Sequence, residues 1–188
     1  MAHYLRIVAT IAVLIALVVC VPVQAQTPEI DALRARAEQG DAEAQSNLGY
    51  MYDTGQGVPQ DYAEAMRWYR LAADQGYDGA QNNLGVMYDN GQGVPQDYAE
   101  SVRWYRLAAD QGDAGAQTNL GRMYGTGRGV PQDYVQAHMW SNLAASRSTG
   151  ELRENAVKNR DLAASELTPD ALNEAQRLAR EWDAAHPR

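Results

Sequence analysis

A stretch of 36 residues occurs three times in succession without a gap, as 42–77, 78–113 and 114–149. The first two copies agree at 28 of 36 positions, and the third follows the same pattern more loosely. A unit repeated at this period is one supersecondary element that cannot bury its apolar face alone. Stacking the copies buries a continuous core, so the chain is expected to form a solenoid.

Each copy reads as two helices. In the first copy, Ala44, Leu48, Met51 and Tyr52 fall at helical spacing between about residues 42 and 53 and make one apolar stripe. Gly55-Gln56-Gly57-Val58-Pro59-Gln60 follows: the glycines permit a left-handed turn and Pro59 forbids a continuing helix. Asp61 with Glu64 is a capping-box start for a second helix, and Asp97 with Glu100 and Asp133 with Gln136 repeat it. That helix runs to about Asp74 with Ala65, Trp68, Tyr69 and Ala72 as its apolar face, and Gly76 stops it. Trp68, Trp104 and Trp140 keep one phase on the second helix, which marks them as core. Gly49, Gly85 and Gly121 occupy one mid-helix position. A glycine there costs about 1 kcal/mol relative to alanine, so its recurrence predicts a close helix–helix contact. Asn47, Asn83 and Asn119 are also invariant, and a structural role is expected for them, with the amide satisfying backbone groups of a neighbouring helix or loop.

The flanks fit the same scheme. Thr27-Pro28 opens a helix over 28–39 whose end resembles the end of a second helix, so it should be a half-repeat capping the first copy. Beyond the third copy, 150–188 holds two capping helices, one from Glu151 to Ala164 and one from Asp170 to about Ala185. The expected protein is all-α, with nine helices and no strand.

Residues 1–25 are a separate object. Arg6 is followed by the apolar run Ile7–Val21 and the small-x-small site Val23-Gln24-Ala25, the layout of a secretory signal peptide. The run is short of the roughly 20 residues a membrane span needs; a retained anchor is the alternative. Val19 is too large for a lipoprotein site at Cys20, so cleavage is expected after Ala25 and a periplasmic or secreted chain begins at Gln26. Cys20 is the single cysteine. The exported chain would then lack a disulfide, a thiolate metal site and a cysteine nucleophile.

With 16 basic and 24 acidic residues the formal charge is −8. That argues against nucleic acid, whose phosphates need a positive field. No metal site or cofactor is expected, because His3, His138 and His186 have no second His or Cys and no paired carboxylate at ligand spacing. Neither a Gly-x-Ser-x-Gly elbow nor a phosphate-binding Gly-x-x-x-x-Gly-Lys occurs, and the glycine-rich loops join helices with no preceding strand. The chain does not read as an enzyme.

The pattern Ala44, Leu48-Gly49, Tyr52, Gly55-Gln56-Gly57-Val58, Asp61, Ala65, Trp68-Tyr69, Ala72-Ala73 and Gly76, with its equivalents in later copies, resembles Sel-one-like repeats, close relatives of tetratricopeptide repeats. Met139–Ala145 and Leu167-Thr168-Pro169 resemble the last unit often seen in that family. The resemblance implies a right-handed α-solenoid of antiparallel helix pairs, serving mostly as an adaptor in protein complexes. Exported bacterial relatives include regulators of envelope signalling. A disulfide-rich subgroup is linked to penicillin binding or β-lactam hydrolysis, and the paired cysteines of that subgroup are missing here.

The resemblance also implies that one face of the first helices lines a concave groove. Ser46, Asn82 and Thr118 are equivalent on that face and differ, as do Tyr50, Val86 and Arg122 one turn on, then Asp53, Asp89 and Gly125. Positions released from packing are free to diverge and to recognise a partner. The expected groove therefore carries an acidic strip, Asp53 and Asp89, beside Tyr50 and Arg122, residue types favoured as interface anchors. Three functions stay open: a protein-binding scaffold or regulator, holding for example the periplasmic part of an envelope protein; a periplasmic binder of cell-wall peptides or glycans; and a β-lactam hydrolase.

Overall fold

The computed structural model describes residues 28–187; the expected signal peptide and its cleavage site lie outside them. Nine α-helices and no strand are found among the described residues. In chain order they are α1 (Pro28–Glu38), α2 (Ala42–Thr54), α3 (Tyr62–Asp74), α4 (Asp78–Asn90), α5 (Tyr98–Asp110), α6 (Ala114–Thr126), α7 (Tyr134–Arg147), α8 (Gly150–Ser165) and α9 (Pro169–Ala185). None of them is long and apolar enough to cross a membrane. Each helix packs on its neighbours in sequence up to α8, giving an α-solenoid whose pairs are α2/α3, α4/α5 and α6/α7.

The turns follow from their residues. Gly55, Gly91 and Gly127 end the first helices with φ near +70°, a region that glycine alone enters freely. Gln60, Gln96 and Gln132 then fasten the loop, each amide donating to a backbone carbonyl of the preceding helix, at Asp53, Asp89 and Gly125. Asp61 and Asp97 cap the second helices by accepting from two backbone N–H groups each. The reciprocal half of the capping box is not made. The N–H groups of Asp61 and Asp97 donate to the carbonyls of Tyr52 and Tyr88, and Glu64 and Glu100 bind Arg67 and Arg103 one turn along.

The recurring glycine does mark a close approach. A Cβ on Gly49 would stand 2.7 Å from the Tyr69 ring, and one on Gly85 would stand 2.5 Å from the Tyr105 ring. The aromatic rings lie flat on the first helix where a side chain would otherwise be. Trp68, Trp104 and Trp140 are all buried in the core.

The amides joining one repeat to the next are glutamines. Gln45, Gln81 and Gln117 are buried and donate to the carbonyls of Ala37, Ala73 and Ala109, near the end of the preceding helix. Gln75 and Gln111 donate in turn to the side-chain oxygens of Gln45 and Gln81, at 2.7 and 2.8 Å. The invariant asparagines behave otherwise: Asn47 is exposed, and Asn119 donates to Asn82 rather than to backbone. A second ladder runs from Arg34, Arg70 and Arg106 to the hydroxyls of Tyr52, Tyr88 and Tyr124. Arg34 on α1 thus makes the contact a second helix makes.

The far end is built differently. α8 packs on both α6 and α7, whereas α9 packs on α7. Trp182 of α9 meets Trp140 edge-on at 5.8 Å and stacks on His186 at 4.1 Å.

Two substitutions test this account. Gly85→Ala must displace the Tyr105 ring and is expected to lower stability by about 1–3 kcal/mol. Gln81→Leu removes one of the two hydrogen bonds at the Ala73 carbonyl, which keeps the Gly76 N–H, and the acceptor of the Gln111 amide, and is expected to cost about 0.5–1.5 kcal/mol. Urea unfolding of both variants measures the losses; a neutral Gln81→Leu would mean that the ladder contributes nothing to stability.

Candidate functional site

α4 and α6, the first helices of the second and third copies, approach one another, whereas the second helices of those copies, α5 and α7, stand further apart. That geometry puts α2, α4 and α6 on the inner, concave side. The residues predicted to form a binding face lie on these three helices, but their environments differ widely.

Copy one carries the open part. Tyr50 is 49% exposed, while Ser46 in the turn before it is buried at 6%. Asp53 is half-buried beside the Tyr69 hydroxyl, and burial raises its carboxyl above the usual carboxylate range despite that hydroxyl. In copy two, Asn82 is half-buried and accepts from Asn119 at 3.2 Å. Val86 is half-buried against the core of the second and third copies.

The acidic strip is not formed as expected. Asp89 is only 8% exposed and is ion-paired with Arg122 of the next repeat, so it joins two repeats and faces no partner. The neighbouring Tyr105 hydroxyl lies among Asp89, Ser101 and Arg122, and burial pushes its pKa well above the ordinary phenol value. The aspartates follow the tyrosines: Asp53 goes with Tyr69 and Asp89 with Tyr105, and the third copy has Gly125 with Ser141. The variation along this face therefore records packing as well as exposure.

Copy three is covered. Thr118 is 7% exposed and its hydroxyl bonds back to the Ala114 carbonyl of its own helix. Arg122 and Thr118 face Asn155, Lys158 and Asn159 of α8 across a polar cavity of about 270 Å³. A smaller cavity of about 110 Å³ lies between Gly125, Tyr134 and Leu162, where the tyrosine ring of the other copies is missing. The sequence offered α8 as a polar cap, and its helical pattern does not say that it lies along the concave side. What remains open is the face of α2 and α4 around Tyr50, with exposed Asn47 beside it.

Among the described residues, no three His, Cys, Asp or Glu side chains gather closely enough to hold a metal ion. Asp89 is ion-paired with Arg122, whereas Asp53 lies near Tyr69, whose buried hydroxyl makes no hydrogen bond.

The Sel1 repeat family matches residues 42–77, 79–113 and 114–148, and the chain belongs to it. A Sel1 repeat protein from Oxalobacter formigenes is similar over 70% of this chain and 99% of its own, with 38% identity and a TM-score of 0.61. A protective antigen present in uropathogenic Escherichia coli strains, displaying an SLR fold, is similar over 86% of this chain at 28% identity and a TM-score of 0.63. The match spans 42% of that antigen. None of the curated protein sequences matches the chain significantly. Sel1 repeat proteins in general mediate protein–protein interactions, and the scaffold is generally non-catalytic.

The Asp89–Arg122 pair has a testable consequence. Arg122→Ala leaves a buried carboxylate without its counter-charge and should cost about 1–3 kcal/mol, with the double variant Asp89→Leu/Arg122→Met recovering most of it. A double variant that loses the sum of what Asp89→Leu and Arg122→Met lose singly, read from urea midpoints, would mean the two side chains are uncoupled.

Proposed function

We propose that this protein is an exported, non-enzymatic scaffold that holds a partner protein against the open concave face of α2 and α4. The observation that carries this reading is Tyr50. It is 49% exposed on the inner helix face, the one exposed tyrosine or tryptophan among the described residues. Tyrosine is a common interface anchor because it brings large contact area and a polar tip at little entropic cost. The surrounding Asn47 and Asn82 supply donors and acceptors of the kind found in an interface rim. The export part of the reading rests on the signal-peptide layout of residues 1–25, and the envelope is the compartment where the partner is sought.

The test is affinity capture from envelope extract with the intact chain beside Tyr50→Ala, which removes no core contact and should melt like the parent. The expected result is one protein retained by the parent and bound at least about tenfold more weakly by the variant, the loss typical of an anchor residue. Equal retention by both forms would reject this face. Retention of isolated cell wall, with no protein captured, would favour the peptide- or glycan-binding reading instead.

A further inference from the structure

A third cavity lies among α7, α8 and α9. It measures about 280 Å³ and is lined by His138, Asn142, Arg160, Gln176 and Arg180. That is far above the roughly 10–15 Å³ a single water needs. All five side chains are polar and three are basic types, in a protein whose formal charge is −8. His138 and Asn142 stand four residues apart on α7, and Gln176 and Arg180 four apart on α9, so each helix presents a pair on one face. Arg160 completes the wall from α8.

The groups are poorly served by the protein itself. His138 is 4% exposed, and its buried Nδ1 has no hydrogen-bond partner. Arg160 is held by exposed Asp161 through Nε and Nη2, which leaves Nη1 unengaged. Arg180 makes no hydrogen bond or ion pair among the described residues. A buried polar atom without a partner costs about 1–3 kcal/mol, and two guanidiniums around one cavity repel. A bound anion relieves the repulsion and gives both guanidiniums and the amides an acceptor. Burial and then the nearby Arg160 hold the His138 imidazole pKa below its ordinary value.

These residues also depart from the repeat. The equivalents of His138 are Met66 and Val102, and those of Asn142 are Arg70 and Arg106. Arg70 and Arg106 reach the tyrosine of a following repeat, which the third copy lacks. Core packing therefore does not demand a histidine at 138.

We infer that this cavity is a binding site for a small molecule carrying an oxyanion, with Arg160 and Arg180 supplying the charge, His138 an N–H and Asn142 and Gln176 the neutral donors. Arginine is suited to this because its planar fork of N–H groups matches phosphate and carboxylate oxygens. The site stands apart from the face around Tyr50, so it does not depend on the scaffold reading.

The experiment is thermal unfolding of the full chain in increasing sodium phosphate and, separately, sodium acetate, against sodium chloride at matched ionic strength. Arg180→Gln is compared throughout; Arg180 is exposed and unpartnered, so the variant should fold, and Gln176→Ala serves as a second variant. A saturable rise of about 3–5 °C at ten times the Kd is expected for a site that binds only the folded chain. It should be lost in Arg180→Gln and reduced in Gln176→Ala. Saturation by phosphate identifies a phosphorylated ligand, and saturation by acetate a carboxylate. A rise that never saturates, or one of the same size in Arg180→Gln, would overturn the proposal.

Discussion

Each repeat is tied to the next through a glutamine that works in both directions. Gln45 donates to the carbonyl of Ala37 behind it and accepts from Gln75 of its own repeat's second helix; Gln81 does the same with Ala73 and Gln111. A helix end leaves carbonyls with no intrahelical partner, and here they are buried by the next repeat. Each also accepts a turn N–H, from Gly40 or Gly76, and the amide supplies the second bond that water would otherwise make. Because a solenoid is held by nearest-neighbour interfaces, this junction sets how firmly each unit adds to the last. The arginine-to-tyrosine ladder uses the same spacing on the outer side, reaching from each second helix to the first helix beyond.

The third copy shows how repetition ends. The position of Gln75 and Gln111 is taken by Arg147, which does not donate to Gln117 as those glutamines donate to Gln45 and Gln81. Gln117 is left with an unpaired side-chain oxygen. Arg147 turns instead to α9, pairing with Asp183 at 2.5 Å, donating to the His186 carbonyl and covering the Trp182 ring at 4.8 Å. One residue exchange thus replaces a contact that extends the stack with one that docks a terminal helix. The loss of tyrosine at Ser141 and aspartate at Gly125 belongs to the same change, since it opens the space that Leu162 of α8 lines.

The helices, their turns and the close approach at each glycine were legible in the sequence because each depends on local chemistry: helical periodicity, left-handed glycines, capping aspartates and a missing side chain. The bond donors were harder to read. Asn47 and Gln45 are both invariant, and only the backbone geometry tells that Gln45 points to Ala37 while Asn47 faces out. The binding face was read only in part for a related reason. Comparing copies separates fixed from variable positions, but Asp89 varies with the chain's own Tyr105 and Arg122, so it differs from Gly125 for reasons of packing. Contacts between a terminal helix and the third copy, such as α8 over Thr118 and Arg122, have no repeated pattern to betray them.

The same logic separates the two ends of the molecule. Where repeats stack, each variable position must satisfy two neighbours, and the polar groups are largely consumed by the ladders. Tyr50 escapes because it lies in the first copy, before the pairing of Asp89 with Arg122 begins. At the other end, α8 and α9 meet α7 without the ladder's register, so polar side chains such as His138 and Arg180 are brought together without partners of their own. Recognition in a short solenoid is therefore expected where the repeat stops constraining its residues, at the first unit and at the junction with the terminal helices, rather than evenly along the groove.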